Sequence, residues 1–567
     1  MHRPETEPRR SIYYEYKVHP AWVPSKVAGA PARVPVVIVG AGPIGLSAAL
    51  DLARYNIPCV LLEAELQVSH GSRAIVFTRR SMEILQQVGV ADRVSKAGLP
   101  WRFGNSYYRG QRVFRMEAPH DPDDRFFPML NLQQQYLEEF LVDAVEANPL
   151  IEMRWGNKVI DVQQDARGVR LEVDTPEGPY TQEADWVVAA DGARSGIRSM
   201  MGLKMEGDSY EGRFVIADIR IDLDLPTERL AFFDPEWNPG NTVLMHREPQ
   251  GIWRVDYQLP EGESPEEALR PESLKARIDA QLRMIGVENP QWELDWCSVY
   301  SARALTLPEY VHGRVVFTGD AAHMLPIFGV RGANTGWQDA HDLIWKLAFT
   351  IHGWAGPRLL PSYSGERVAA AREIIDEAGK STRFMTPPTR GFRLLRDAVL
   401  SLSLKTEFVR PLFHWRTSRP HDYADSVLNS RGDDDNLFRG GPRDGAPLNN
   451  VYLGDAGYFF DHLGASFYLL DFFTDAALAP GLLEEIERIR ARGIPFKVIA
   501  IRHDASAQVQ GADLVLPDPG GRFRAKYGVI GDGAAYLVRP DQHVCARWLT
   551  LSPDRLRSAV QTALGHE

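Results

Sequence analysis

The stretch VPVVIVGAGPIGLSAALDLARY, residues 34–55, constrains the fold more than any other part of this 567-residue chain. The β-branched run from Val34 to Val39 reads as a buried strand, and LSAALDLARY reads as a helix. Between them lies Gly40-Ala41-Gly42-Pro43-Ile44-Gly45, a G-x-G-x-x-G element in its strand-to-helix setting. Gly40 permits the tight turn, Gly42 lets a pyrophosphate approach the backbone, and Gly45 lets the helix sit close to the strand. The pyrophosphate then meets free N–H groups at the positive end of the helix dipole. IPCVLLEAE reads as a second buried strand ending at Glu63, where a carboxylate accepts ribose hydroxyls and disfavours a 2′-phosphate. An ADP-containing cofactor follows, with NAD and FAD both open at this point.

Two further segments bear on that choice. GDAAHMLPIFGVRGANTG, residues 319–336, follows a strand predicted over Arg314–Thr318. An acid such as Asp320 at the carboxyl end of a parallel strand can accept hydrogen bonds from a polyol, and a ribityl chain is one. A helix is predicted to open at Ala333-Asn334-Thr335, with Thr335 and Gln338 as a capping box. Its apolar stripe is Trp337, Ala340, Ile344, Leu347, Ala348 and Ile351, and Gly353 stops it. A positive helix end suits a reduced flavin, which carries negative charge at N1; the alternative is a plain strand–helix connector. In DWVVAADGARSGIRSMMG, a strand over Trp186–Ala190 ends in Asp191-Gly192, with Ser195 and Arg198 on the helix that follows.

Glycine loop, Asp191-Gly192-x-x-Ser195-x-x-Arg198 and Gly319-Asp320-Ala321-Ala322-His323-x-x-Pro326 together resemble the three signatures of the FAD-dependent aromatic hydroxylases. The type is that of para-hydroxybenzoate, phenol and 3-(3-hydroxyphenyl)propionate hydroxylases, and the likeness covers residues from about 33 to 400. Ser72-Arg73-Ala74 with Arg80-x-x-Glu83, and Gln134-x-x-Leu137-Glu138, also resemble flavin-contacting positions. The resemblance implies that FAD is held by Gly40, Gly42, Pro43, Ile44 and Gly45, with Glu63 and Ala64 at the adenosine ribose. Arg73 and Gln134 would reach its phosphate and ribityl region, and Gly319 and Asp320 its ribityl chain. Asp191 and Gly192 would serve FAD and the passing nicotinamide cofactor, and Pro326, Gly332, Ala333 and Asn334 the ring end. NAD(P)H and O2 are then co-substrates, and a flavin C4a-hydroperoxide is attacked by a phenolate. Where the family often carries G-Q-G-x-N, this chain has Gly329-Val330-Arg331-Gly332-Ala333-Asn334. Arg331 either stabilises the flavin N1 charge or an anionic substrate, or points to solvent. Candidate catalytic residues are Arg331, Pro326 and His323, the last read as a structural histidine ahead of a catalytic base.

The expected fold class is α/β: a Rossmann-like FAD-binding domain interleaved with an antiparallel-sheet substrate domain, plus a C-terminal thioredoxin-like domain. Expected bounds are an arm over 1–32, the FAD domain over 33–205 and 300–370, and the substrate sheet over 206–299. Residues 105–130 are a candidate addition to the substrate side. A helical segment and linker over 371–440 and a tail domain over 441–567 complete the chain. In GIWRVDYQL, Trp253, Val255, Tyr257 and Leu259 alternate with Arg254, Asp256 and Gln258. The aromatic stripe reads as core, one face of such a sheet could carry a substrate, and no residue there is marked by spacing as a substrate ligand. The tail reads as β-α-β-β-β-α, without the C-x-x-C of dithiol chemistry.

Composition removes other classes. The net charge of −11 and the lack of a basic run argue against a nucleic-acid partner. Three scattered cysteines and no H-x-x-x-H pair argue against disulfides and metal. With no apolar signal core and no apolar run of spanning length, a cytoplasmic protein away from membranes is expected; the resemblance implies that it is a homodimer acting on a small phenol. Competing readings are a flavin-dependent reductase or halogenase on the same scaffold, although no W-x-W-x-I-P element occurs, and a non-enzymatic flavin-binding assembly protein.

Overall fold

The computed structural model describes residues 1–24, 32–260, 262–326, 328–413, 419–432, 434–504, 506–529 and 531–566, the side chains of 209–211, 302 and 413 aside. Val34–Val39 forms the centre of a mostly parallel sheet, paired on one side with Cys59–Leu62 and on the other with Gly178–Ala189. Val315–Phe317 joins in parallel beyond Gly178–Ala189, and Ile151–Arg154 beyond Cys59–Leu62. The expected strands at both glycine-rich loops and at Asp191 are therefore neighbours in one sheet, with their carboxyl ends on the same edge. The strand residues are almost wholly buried, as expected where helices cover a parallel sheet.

A second sheet of eight strands is largely antiparallel and includes Glu206–Arg220, Arg229–Phe233, Thr242–Arg247, Ile252–Gln258 and Glu293–Thr306. Phe103–Tyr108 and Gln111–Glu117 extend it at the far edge. Trp253, Val255, Tyr257 and Leu259 pack with Leu274, Ile278 and Leu282 of helix Pro271–Met284, so the alternating stripe is core. The polar side of the same strand is not given up to water: Arg254 is buried too.

The tail forms a five-stranded sheet with Phe467–Asp471 at its centre. It differs from the expected order by a strand, Leu514–Pro517, and a short helix, Arg522–Lys526, both too short to carry a period. The Gly/Asp-rich stretch read as a linker is fastened along the hairpin strand Val544–Trp548, through Ser430 N–H to the Cys545 carbonyl and Arg547 to Asp435. Its glycines serve close backbone approach, not slack: a Cβ on Gly445 would lie 2.4 Å from the Tyr423 carbonyl.

The tail and the unit built on the parallel sheet share one apolar core. Phe467 meets Trp345 and Phe349 edge to face, with centroids 5.8 and 5.7 Å apart. Above this contact the tail inserts Arg539, fully buried, between Asp342 at 2.9 Å and Glu366 at 2.7 Å, with Asp541 as a third partner. Lys346 bonds both Asp342 and Glu366 from below. Helix Arg390–Ser403 buries Val399 and Leu400 and leaves Leu394 and Leu395 exposed. Among the described residues no helix is long and apolar enough to cross a membrane.

Arg539→Ala leaves three buried carboxylates to one ammonium, a loss of about 3–5 kcal/mol. A urea titration followed by tryptophan fluorescence is expected to give a lower midpoint in a single transition, because the tail and the glycine-loop unit unfold together.

Candidate functional site

Local packing explains why the first glycine loop cannot be built otherwise. Gly40 has φ +101°, and a Cβ there would lie 2.5 Å from the Ala190 carbonyl oxygen. A Cβ on Gly45 would lie 1.9 Å from the Gly40 carbonyl oxygen. Gly42 differs: a Cβ there meets nothing within 4 Å, so the need for glycine comes from something the protein does not itself fill. Pro43 occupies the first position of helix Pro43–Ala53, where no N–H is needed. Glu63 is held beside the loop by Ala41 N–H at 2.7 Å and Glu65 N–H at 2.9 Å, and burial raises its carboxyl above the usual range.

Ile44 ties this loop to the second one. Its side chain lies against Gly319, where a Cβ would come within 3.3 Å of it, and Gly336, where the distance would be 2.9 Å. Helix Gly332–Ile351 packs on helix Pro43–Ala53 through Trp337 to Ser47 at 3.0 Å and His341 to Asp51 at 3.1 Å. The helix starts at Gly332, before the expected opening. Thr335 N–H already bonds the Arg331 carbonyl, so Thr335 is inside the first turn and the expected capping box with Gln338 does not form. The first-turn N–H groups of Gly332, Ala333 and Asn334 have no partner within the helix.

Asp320 is exposed, yet the protein around it desolvates its carboxyl and raises its pKa. A group that solvent reaches while protein crowds it faces a crevice inside the molecule. The charges of His323, Arg73 and Arg198 act on it, which brings the Gly319 motif, the Asp191 motif and the Arg73 turn to one place. Arg198 donates to the Ala321 carbonyl at 2.9 Å and to the Ala193 carbonyl at 2.8 Å, joining the Asp191 turn to the Asp320 turn. Asp191 accepts from Ile197 N–H through Oδ2, while its Oδ1 is buried without a partner. Gly192 and Gly332, like Gly42, have open space at the Cβ position.

Other expected residues are placed differently. The Asn334 side chain is fully engaged: Oδ1 accepts from Thr78 and Ser81, and Nδ2 donates to the Val76 and Val330 carbonyls. It braces the loop and leaves only its backbone for a cofactor. Gln134 similarly binds Ala74 N–H and Glu138, which fixes the turn that presents exposed Arg73. His323 is fully buried against Asp339 at 2.5 Å, and Asp339 also pairs with Arg367 at 2.6 Å. That fits the structural reading of His323, as a strut under Asp320. Pro326 is buried in the loop, and Arg331 is buried at the head of the helix, not pointing to solvent. Val330 has φ +54°, a strained conformation for a β-branched residue.

Two features escaped the sequence reading. Residues 1–24 form a strap over the Glu63 side: His2 donates to the Ala64 carbonyl, Arg9 to the Val68 carbonyl, and Tyr16 OH to Ser69. The packing of Tyr14 and Tyr16 agrees with an arm that docks, but nothing in its sequence says where. The second is Tyr300 on strand Glu293–Thr306, whose pKa burial and the Asp320 charge both raise. Only the fold places it near Asp320.

An extended dinucleotide fits this arrangement. The open Cβ positions at Gly42, Gly192 and Gly332 would leave room for its phosphates, with Glu63 and Ala64 toward one end and Asp320, the unpartnered Asp191 oxygen and a helix N-terminus toward the other. Among the described residues no group of three potential metal ligands occurs. The model of the family described as "FAD binding domain" matches residues 33–378. The 3-(3-hydroxy-phenyl)propionate/3-hydroxycinnamic acid hydroxylase of Mycolicibacterium smegmatis is 31% identical over 374 residues, which are 65% of this chain and 64% of that relative. Its counterpart from Burkholderia vietnamiensis is also 31% identical, over 65% of this chain and 66% of its own length. The match thus spans slightly less than two thirds of these relatives. In fold, the chain resembles the flavin-dependent monooxygenase PieE solved with FAD and substrate, with TM-score 0.79, 24% identity and coverage of 95% of this chain and 100% of that one. Aklavinone-11 hydroxylase, solved with FAD and aklavinone, gives TM-score 0.75 at 23% identity over the same shares.

Gly42→Ala separates cofactor binding from folding. With no protein atom within 4 Å, the variant is expected to melt like the wild type when both are stripped of FAD, yet to retain FAD at least about tenfold more weakly. Equilibrium dialysis against FAD reads the difference. Gly45→Ala, by contrast, is expected to lose folding and FAD together.

Proposed function

The chain belongs to the FAD binding domain family, and on that premise we propose that it is an NAD(P)H- and FAD-dependent monooxygenase that hydroxylates a phenolic compound. The observation that carries the reading is the crevice at Asp320, where three loops from one sheet edge converge and meet the substrate-side sheet. The curated relatives, named for hydroxylating phenol-bearing acids, support a small aromatic substrate.

When bound, FAD would supply the redox chemistry that couples oxidation of NAD(P)H and reduction of O2 to the entry of one oxygen atom into the ring, the other leaving as water. The chain's own residues bind and orient. Gly40, Gly42 and Gly45 admit the pyrophosphate to the helix end, Glu63 accepts from the adenosine ribose, and Asp320 accepts from the ribityl hydroxyls. The N-terminus of helix Gly332–Ile351, with Arg331 at its head, favours negative charge on the ring. Phe328 and Phe214, edge to face at 5.3 Å, help keep water from the reacting face. A cytoplasmic homodimer belongs to the same proposal.

NADH and NADPH consumption by the FAD-loaded protein across a panel of phenols, with product mass recorded, tests it. A phenol that accelerates consumption and gains one oxygen atom is the expected result; hydrogen peroxide alone from every phenol counts against it. Cys545 is fully buried in a strand, where burial raises its thiol far above the usual range. Cys545→Ala is accordingly expected to leave turnover unchanged, which stopped-flow rates would check.

A further inference from the structure

On the face that the substrate-side sheet presents to the cofactor loops, charged side chains gather at one place. Strand register puts His246 opposite Arg254 and Leu244 opposite Asp256. Leu230 opposite Met245 sets Arg229 beside His246, and Asp218 lies opposite Arg254. Arg229, His246, Arg254, Asp256 and Asp218 therefore project from the same face. It is the cofactor's face, because Arg254 donates to the Ser72 carbonyl beside Arg73, and Phe214 of the same face touches Phe328 of the second loop.

The charges in this patch are unequally spent. Arg254 makes two bonds of 2.8 Å to Asp218 and a third to Ser72. Asp256 keeps partial solvent access, yet its Oδ1 is buried without a partner, as is Nδ1 of His246. Unpartnered buried acceptors in a native interior call for a ligand or an ordered water. Arg229 is buried and faces the charge of Asp256, so with Asp256 ionised this pair adds no net charge.

Resting on the hydroxylase reading, we propose that Asp256, Arg229 and His246 form the specificity subsite of this chain and take an uncharged pair of adjacent oxygens on the aromatic ring. One ring hydroxyl donates to Asp256, and the neighbouring oxygen accepts from Arg229 and, where it is a hydroxyl, donates to His246 Nδ1. An aryl carboxylate is disfavoured, because each cation nearby already opposes an acid and a further anion would be buried without compensation. The substrate class is thus a vicinally oxygenated phenol rather than a phenol with an anionic tail.

The subsite carries a pH signature. Burial raises the Asp256 carboxyl to about 7, with Asp218 adding to the rise and Arg254 and Arg229 opposing it; Glu248 and His246 also face the cluster. The ionised carboxylate is the stronger acceptor, so binding weakens as pH falls through that value.

Catechol and 3-(3-hydroxyphenyl)propionate, each titrated into the FAD-loaded holoenzyme and followed by the flavin spectrum, test the proposal. Catechol is expected to bind at least about tenfold tighter than the acid at pH 8, and about tenfold more weakly at pH 6 than at pH 8. Asp256→Asn, with FAD content measured alongside, is expected to lose most of the catechol affinity and all of its pH dependence. Arg229→Lys keeps the charge but loses the planar donor fork and should weaken catechol several-fold, which covers the case where Asp256→Asn does not fold. Tighter binding of the acid, no catechol binding by the wild type, or an Asp256→Asn variant that retains the pH dependence overturns the subsite. Discrimination between the probes without hydroxylation of any phenol would leave the subsite standing and sink the monooxygenase reading; hydroxylation with no effect of Asp256→Asn would do the reverse.

Discussion

A guanidinium with no access to water, that of Arg539, holds the molecule together at the point where its parts meet. It bonds Asp342 on the helix that begins at the second cofactor loop and Glu366 on the helix after it, while its own strand end contributes Asp541. With Lys346 the cluster sets two cations against three acids. Burial and the neighbouring acids push the Asp342 carboxyl up, while Arg539 holds those of Glu366 and Asp541 down. Such a network is costly to form and more costly to break, which fixes one docking geometry for the tail.

That geometry reaches the cofactor site through helix Gly332–Ile351. One turn before Asp342, Asp339 pairs with His323 and Arg367, and His323 lies under Asp320. At its head the same helix takes the strained Val330 turn, with Asn334 holding the Val330 carbonyl at 2.7 Å. The residues that would touch the cofactor are thus backed by buried ion pairs and not by loop contacts alone, the kind of support that keeps polar groups within tenths of an ångström of their working positions.

The substrate-side sheet follows a different logic. One face is filled by Trp253, Val255 and Tyr257 against a helix, a packing any alternating strand could make. The other face buries polar groups, and it can do so because the cofactor loops roof it: Arg254 is satisfied only because Ser72 is 182 residues away in sequence and adjacent in space.

Local periodicity and glycine spacing alone determined the strand–loop–helix of residues 34–53, the turns at Asp191 and Gly319, and the core stripe of 252–258. Each of these depends on interactions a few residues apart, or on a backbone conformation that only glycine adopts. Tertiary structure decided the rest. Asn334 and Gln134 look like cofactor ligands by position but act as braces, since their partners at Thr78 and Ala74 lie 256 and 60 residues away. The stretch at 430–445 looks like a linker by composition, yet its polar groups are bonded to a hairpin more than a hundred residues on. Arg539, Asp256 and the docking of the N-terminal strap carry no local signal at all. A buried charge is tolerated only where distant chain segments supply its partners, and no short-range pattern records which segments those are.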